Sequence, residues 1–169
     1  MKLNAMKQLL LFSAILFFSN VITAQDYNQA VGIRGGLSAG FEYRFHTGDT
    51  DSYKLLLSWR DRGLQLHGLK EFHRYDLFDF SEQLVFFYGA GLHAGYESWD
   101  EPHYYNNDRW FTTRSSIIAG LDGLAGVEYV FYEIPLSVGL EAKPYFDLFG
   151  REMFDVQLFD FAFTIKYLF

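Results

Sequence analysis

The residues best suited to chemistry in this chain are its five histidines, since it has no cysteine to act as nucleophile, thiolate ligand, disulfide partner or lipid anchor. His67 and His93 stand near Glu71 and Glu97, and neutral imidazole with carboxylate is a zinc-ligand set. Their spacing matches no metal motif, so the expectation is a pair of hydrogen-bonded interior histidines with no metal and no cofactor. His103 lies near Ser98, Asp108 and Ser115, the types needed for a base and a nucleophile, which must be within hydrogen-bond reach of each other. No fixed spacing marks such a set, and the polarity of a surface loop accounts for it. No catalytic residue is expected.

What the sequence does repeat is alternation with period two, the mark of strands with two different faces. In "IIAGLDGLAGVEYVF", Ile117, Ala119, Leu121, Ala125, Val127, Tyr129 and Phe131 share one face, and Asp122 and Glu128 share the other with Gly120 and Gly126. "PLSVGLEAKPYFDLF" sets Leu136, Val138, Leu140, Ala142, Phe146 and Leu148 against Ser137, Glu141, Lys143, Tyr145 and Asp147. Upstream, Phe86, Tyr88, Ala90, Leu92 and Tyr96 oppose Phe87, His93 and Glu97, while Tyr53, Leu55, Leu57, Trp59, Leu64, Leu66 and Phe72 oppose Lys54, Arg60, His67 and Glu71. The Gly-rich "AVGIRGGLSAGFEYRFH" divides into a short strand around 30 to 36 and another from about 39 to 46. The closing "FDFAFTIKYLF" alternates throughout: Phe159, Phe161, Phe163, Ile165, Tyr167 and Phe169 against Asp160, Ala162, Thr164, Lys166 and Leu168. No helical period appears after the first residues, so the chain reads as all-β with about eight strands. Short links at 47–52, 75–82 and 133–135 fall at one end; a long loop, "SWDEPHYYNNDRWFTTRS", and "GREMF" fall at the other.

Lys2 and Lys7 precede the apolar "LLLFSAILFF" and the small-residue "SNVITAQ", the layout of a cleavable secretory signal peptide. Cleavage after Ala24 leaves residues 25–169 as one domain with 12 Lys plus Arg against 21 Asp plus Glu, a formal −9. So acidic a product is a poor partner for nucleic acid. Half the residues are apolar and a fifth aromatic; that load must fill a large core or face something other than water.

A soluble barrel and a membrane barrel alternate alike, and the choice rests on which face is inside. The polar face also carries Gly32, Gly40, Gly89, Gly91, Gly95, Gly120, Gly126 and Gly139, and glycines beside charges suit a crowded interior. The expected luminal network sets Glu42, Glu71, Glu97, Asp122, Glu128, Glu141, Asp147 and Asp160 against Arg34, Arg44, Lys54, Arg60, Lys143 and Lys166, with His93 among them. Buried charges cost several kcal/mol each unless paired, so such a filling would close the lumen. The apolar face then meets lipid, in a closed antiparallel up-and-down transmembrane barrel with aromatic girdles. Lys70 alone falls on the lipid face, and either snorkels from a strand end or marks a bulge at Gly68.

Three stretches, "FYGAGLHAGYESW" (87–99), "AGLDGLAGVEYVFYEIPLSVGLEAKPYFDL" (119–148) and "FAFTIKYLF", resemble the small eight-stranded outer-membrane barrels of Gram-negative bacteria, the OmpA-barrel, OmpX and OmpW-like group. The resemblance covers essentially all of residues 25–169. It implies an outer-membrane protein with no catalytic residues, in contact with lipid and lipopolysaccharide. It also implies insertion by the barrel-assembly machinery, which in such families recognises a terminal aromatic strand, here Tyr167 and Phe169. The function so implied is structural or surface-exposed, with Trp99, His103, Tyr104, Tyr105 and Trp110 of the long loop facing an extracellular partner. The alternatives are a narrow pore for small solutes, or a rim-sited hydrolase or acyltransferase acting on lipid A.

Overall fold

The ladder begins with two short strands, β1 (Gln29–Gly36) and β2 (Ala39–His46), and continues through β3 (Asp51–Arg60) and β4 (Gly63–Arg74). The chain is described here from a computed structural model that covers residues 27–60, 63–105, 108–150 and 154–169. The expected signal peptide, 1–24, lies outside the described residues. Two long strands follow, β5 (Leu84–Tyr105) and β6 (Asp108–Val130), then β7 (Leu136–Ala142), β8 (Tyr145–Phe149), β9 (Asp155–Gln157) and β10 (Phe161–Leu168). Each strand pairs antiparallel with its sequence neighbour from β1 to β7, and β10 pairs with both β7 and β1. The sheet therefore closes on itself, and Gln29 and Phe169 exchange both backbone hydrogen bonds at 3.0 and 2.9 Å. No edge is left where first and last strands meet.

The ring has eight staves, because β7 with β8, and β9 with β10, are each two halves of one stave. The sequence suggests unbroken strands over 136–148 and 159–169; the first is interrupted at residues 143 and 144, and the second runs unbroken but starts only at Phe161. Pro144 is the physical reason for the first: it has no N–H to give to a ladder. Lys143 N still donates to Asp160 O at 2.9 Å and Gly123 N to Pro144 O at 2.7 Å, so the stave bends without opening.

Turns 47–50, 75–83 and 131–135 lie at one end with Gln29 and Phe169, as the alternation of short links implies. The opposite end holds the largest departure from the sequence reading. Residues 98–105 and 108–114 are not a loop. Their polar residues sit on strand: Trp99 faces Arg114, Glu101 faces Thr112 and His103 faces Trp110 in one continuous ladder. β4 leaves β5 after Tyr96 and β8 leaves β6 after Ala119, so residues 97–105 and 108–118 stand as a two-stranded ribbon. Nine residues of strand extend about 30 Å. A lone hairpin is marginal in water, and this one is held by cross-strand contacts: His103 stacks on Trp110 at 5.7 Å, Thr113 donates to Asp100 at 2.8 Å, Arg109 lies 5.5 Å over Tyr104, and Arg114 pairs with Glu101.

Inward positions are buried and outward ones exposed along nearly every stave, with the polarity of a soluble protein reversed. Lys54, Lys143, Lys166 and Arg34 are at most 2% exposed, while Ile33, Phe41, Leu92 and Leu140 are at least 53% exposed. The interior does contain one apolar cluster, Leu56, Leu69, Phe87 and Leu124. Glycine makes room for it: a Cβ on Gly126 would stand 2.5 Å from Phe87 Cζ. Lys70 follows the regular register with no bulge at Gly68; it faces outward at the turn end, 3.5 Å from Asp51 and 5.0 Å over Phe72.

Candidate functional site

Alternation alone brings ionisable groups from all eight staves into one narrow lumen, and register decides which of them meet. In the half nearer Gln29 and Phe169, Arg44 lies between Glu71 at 2.7 Å and Glu128 at 2.9 Å. Lys166 reaches Glu128 at 2.6 Å and Glu42 at 3.3 Å. Lys54 reaches Glu141 at 2.6 Å, Glu42 at 2.8 Å and Glu71 at 3.4 Å. Arg34 joins Glu141 at 2.5 Å to Asp160 at 3.2 Å, and also donates to Ser38.

Position around the ring gives these pairs their consequence. β3 and β7 are diametrically opposed, as are β2 and β6, so Lys54–Glu141 and Arg44–Glu128 cross the lumen rather than run along its wall. Phe87 fills the space between them, with Arg44, Lys166 and Lys54 at 5.3, 5.6 and 5.9 Å from its ring centroid. Ion pairs that span the bore and an aromatic ring wedged among them obstruct it.

Nearer the ribbon end the filling is different. His67 and His93 are opposite each other in register, and His93 is opposite Gly120. A Cβ on Gly120 would lie 2.7 Å from His93 Cε1, so the bare backbone is what admits the ring. Asp122, from β6, then spans the two imidazoles: Oδ2 is 2.9 Å from His67 Nδ1 and Oδ1 is 3.1 Å from His93 Nδ1. His93 Nε2 lies 2.6 Å from Asp147, and His67 Nε2 lies 2.8 Å from Ser58 Oγ. Carboxylates only accept, so both nitrogens of His93 carry hydrogens. Lys143 stands between Asp160 at 3.4 Å and Asp122 at 3.7 Å.

Thus Arg34, Glu42, Arg44, Glu71, His93, Asp122, Glu128, Glu141, Lys143, Asp160 and Lys166 all lie buried inside the ring. Arg60 and Glu97 are half-buried towards the ribbon end, Arg60 donating to the Tyr145 hydroxyl at 3.1 Å. The two histidines do not meet the glutamates expected for them. Glu71 belongs to the Arg44–Lys54 layer, Glu97 opposes Ser116 on the ribbon, and the partners of His67 and His93 are Asp122 and Asp147. Ser52, Ser58 and His73 are also buried inside, with Ser52 Oγ 2.8 Å from His73 Nε2. Their parity with Lys54 and Glu71 would have placed them there.

Ser58, His67 and Asp122 stand in the order nucleophile, base, acid, but Ser58 is 2% exposed inside the filled ring, where an acyl group has no approach. The other set is dispersed. His103 opposes Trp110, Ser98 opposes Ser115, and the two levels are five residues, about 17 Å of strand, apart. Tyr104 and Trp110 are exposed on the ribbon, and Trp99 is half-buried lower on it. Tyr167 and Phe169 stack at 6.1 Å on the outer face of the closing stave.

No protein-family model matches the chain, and no curated protein does. Among solved structures, the crystal structure of the N-terminal β-barrel domain of Pseudomonas aeruginosa OprF is similar at 13% identity and a TM-score of 0.49, over 86% of this chain and all of that one.

Proposed function

We propose that this chain is an integral outer-membrane β-barrel protein of a Gram-negative envelope, structural or surface-exposed, closed to solutes, and exported by a signal peptide at residues 1–24. One observation carries the reading: the barrel is inside out for water. Exposed Val31, Ile33, Leu55, Leu57, Leu92, Leu121, Phe163 and Ile165 form its outer wall, while Arg34, Glu42, Lys54, Glu71, Glu141 and Lys166 are buried inside. Monomeric soluble proteins rarely expose continuous apolar patches beyond a few hundred Å², and buried ions would be a needless cost if the outside could hold them. The ten residues of β3 rise about 33 Å, or about 25 Å across a bilayer at a tilt near 40°, which matches the apolar band of such barrels. Tyr43 and Tyr53 near one end of that band, with Trp59 and Tyr96 near the other, suit the two interfaces.

In this reading the short turns face the periplasm and the ribbon projects outward, presenting Tyr104, Trp110 and Phe111 to lipopolysaccharide or an extracellular partner. The lumen is closed by pairs that cross it. A barrel with these properties resists sodium dodecyl sulfate until heated, so the unboiled protein is expected to migrate faster than the boiled one and to fractionate with outer membrane. Identical migration and recovery in the soluble periplasm would overturn the proposal. Tyr167 and Phe169 are assigned to recognition by the assembly machinery: Phe169→Asp is expected to reduce insertion at least tenfold more than Phe149→Asp, although both side chains are exposed, at 44% and 64%. Equal insertion, measured as heat-modifiable protein, removes that role from Phe169.

A further inference from the structure

Three potential metal ligands from three neighbouring staves converge in the ribbon half of the lumen. One donor atom from each of His67, His93 and Asp122 lies within 4.8 Å of the other two, and all three residues are buried. The aspartate oxygens are 2.9 and 3.1 Å from the two Nδ1 atoms. A tetrahedral ion held at 2.0–2.1 Å separates its donors by about 3.3 Å, so these contacts already have nearly the spacing that an ion would impose.

The far sides of both rings are also prepared. Metal-bound histidines donate their other ring N–H to a carboxylate or similar acceptor, which fixes ring orientation. His93 Nε2 has Asp147 at 2.6 Å and His67 Nε2 has Ser58 Oγ at 2.8 Å. We propose that His67, His93 and Asp122 form a divalent-cation site of zinc type that ties the neighbouring staves β4, β5 and β6 together on their luminal face. On binding, both Nδ1 atoms turn a lone pair to the ion: His93 gives its Nδ1 hydrogen to solvent, and the single ring hydrogen of His67 passes by exchange with solvent from Nδ1 to Nε2. His93 Nε2–H continues to donate to Asp147, and His67 Nε2–H donates to Ser58. Lys143, the cation nearest the site, keeps Asp160 at 3.4 Å when Asp122 turns to the metal.

The full-length chain refolded with one equivalent of Zn²⁺, then dialysed against metal-free buffer, is expected to retain one zinc per chain. X-ray absorption at the zinc edge should show two imidazoles. His46, which stacks on His73 at 4.9 Å towards the other end of the ring, supplies the competing imidazole pair; His46→Gln should retain zinc, while His67→Gln and His93→Gln barrels lose at least nine-tenths of it. The proposal is overturned if folded wild type retains no zinc, if fewer than two imidazoles are seen, or if the folded His67 and His93 variants keep their zinc. Should those variants fail to fold, His46→Gln decides alone: zinc with two imidazoles supports the site, and loss of zinc assigns the metal elsewhere.

Discussion

Glu141→Leu is expected to destabilise the barrel by about 3–5 kcal/mol, the cost of leaving a buried charge uncompensated. Glu141 is 2% exposed and accepts from both Lys54 at 2.6 Å and Arg34 at 2.5 Å. Removing it takes a carboxylate from two buried cations at once, one of them half of a pair that spans the bore. Lys54 would retain Glu42 and Glu71, and Arg34 would retain Asp160, so the layer is weakened and not emptied. The double substitution Lys54→Met with Glu141→Leu removes most of the uncompensated charge and fills the same volume, and should recover at least half of the loss. Urea unfolding in lipid vesicles, followed by gel mobility, reads all three proteins against wild type. Strict additivity of the two single changes would show that the pair is not coupled. Arg114→Leu provides the contrast. Its ion pair with Glu101 stands on the ribbon with side chains 58% and 41% exposed, and exposed pairs contribute about 0–1 kcal/mol.

That contrast also marks what can be read from the chain itself. Parity along a strand is a local property, so it placed Glu141, Lys54 and Arg34 on the inner face before any partner was known. It does not give height or position around the ring. Lys54 and Glu141 are 87 residues apart in sequence, and their meeting depends on the register of every stave between them. His67 shows the same division. Its inward direction follows from alternation, but Glu71, four residues along the same stave, lies about 13 Å further down the lumen. Asp122, two staves away, is brought to His67 through the pairings of His67 with His93 and of His93 with Gly120.

Elsewhere composition misled where pattern would not have. Residues 98–114 are rich in Asp, Glu, Asn and His and so resemble a loop, yet Trp99, Tyr104, Trp110, Phe111, Thr112 and Thr113 are strand formers. Cross-strand pairs there outweigh the polar residues. The same bias hid Leu56, Leu69 and Leu124 inside the barrel, because an inner face described as polar leaves no place for an apolar cluster beside Phe87.

Leu140→Arg is the second large effect, expected to cost about 2–4 kcal/mol if the outer wall is solvated by lipid. Leu140 is 61% exposed and sits on the outer face of β7 between Val127 and Phe163, near the middle of its stave. Its ladder neighbours Val127 and Phe163 offer no carboxylate to a guanidinium, and a side chain near mid-stave reaches water only by thinning the bilayer. For a barrel in water the same substitution would exchange one exposed side chain for a better-hydrated one, an effect within about 0.5 kcal/mol. The two predictions differ because the solvent differs; the position and the residue are the same. Tyr104→Arg, on the ribbon and 71% exposed, should be nearly neutral in either solvent. Unfolding in vesicles therefore separates the cases: a loss confined to Leu140→Arg requires lipid at the wall, and equal stability of both variants would mean that the apolar exterior faces something else.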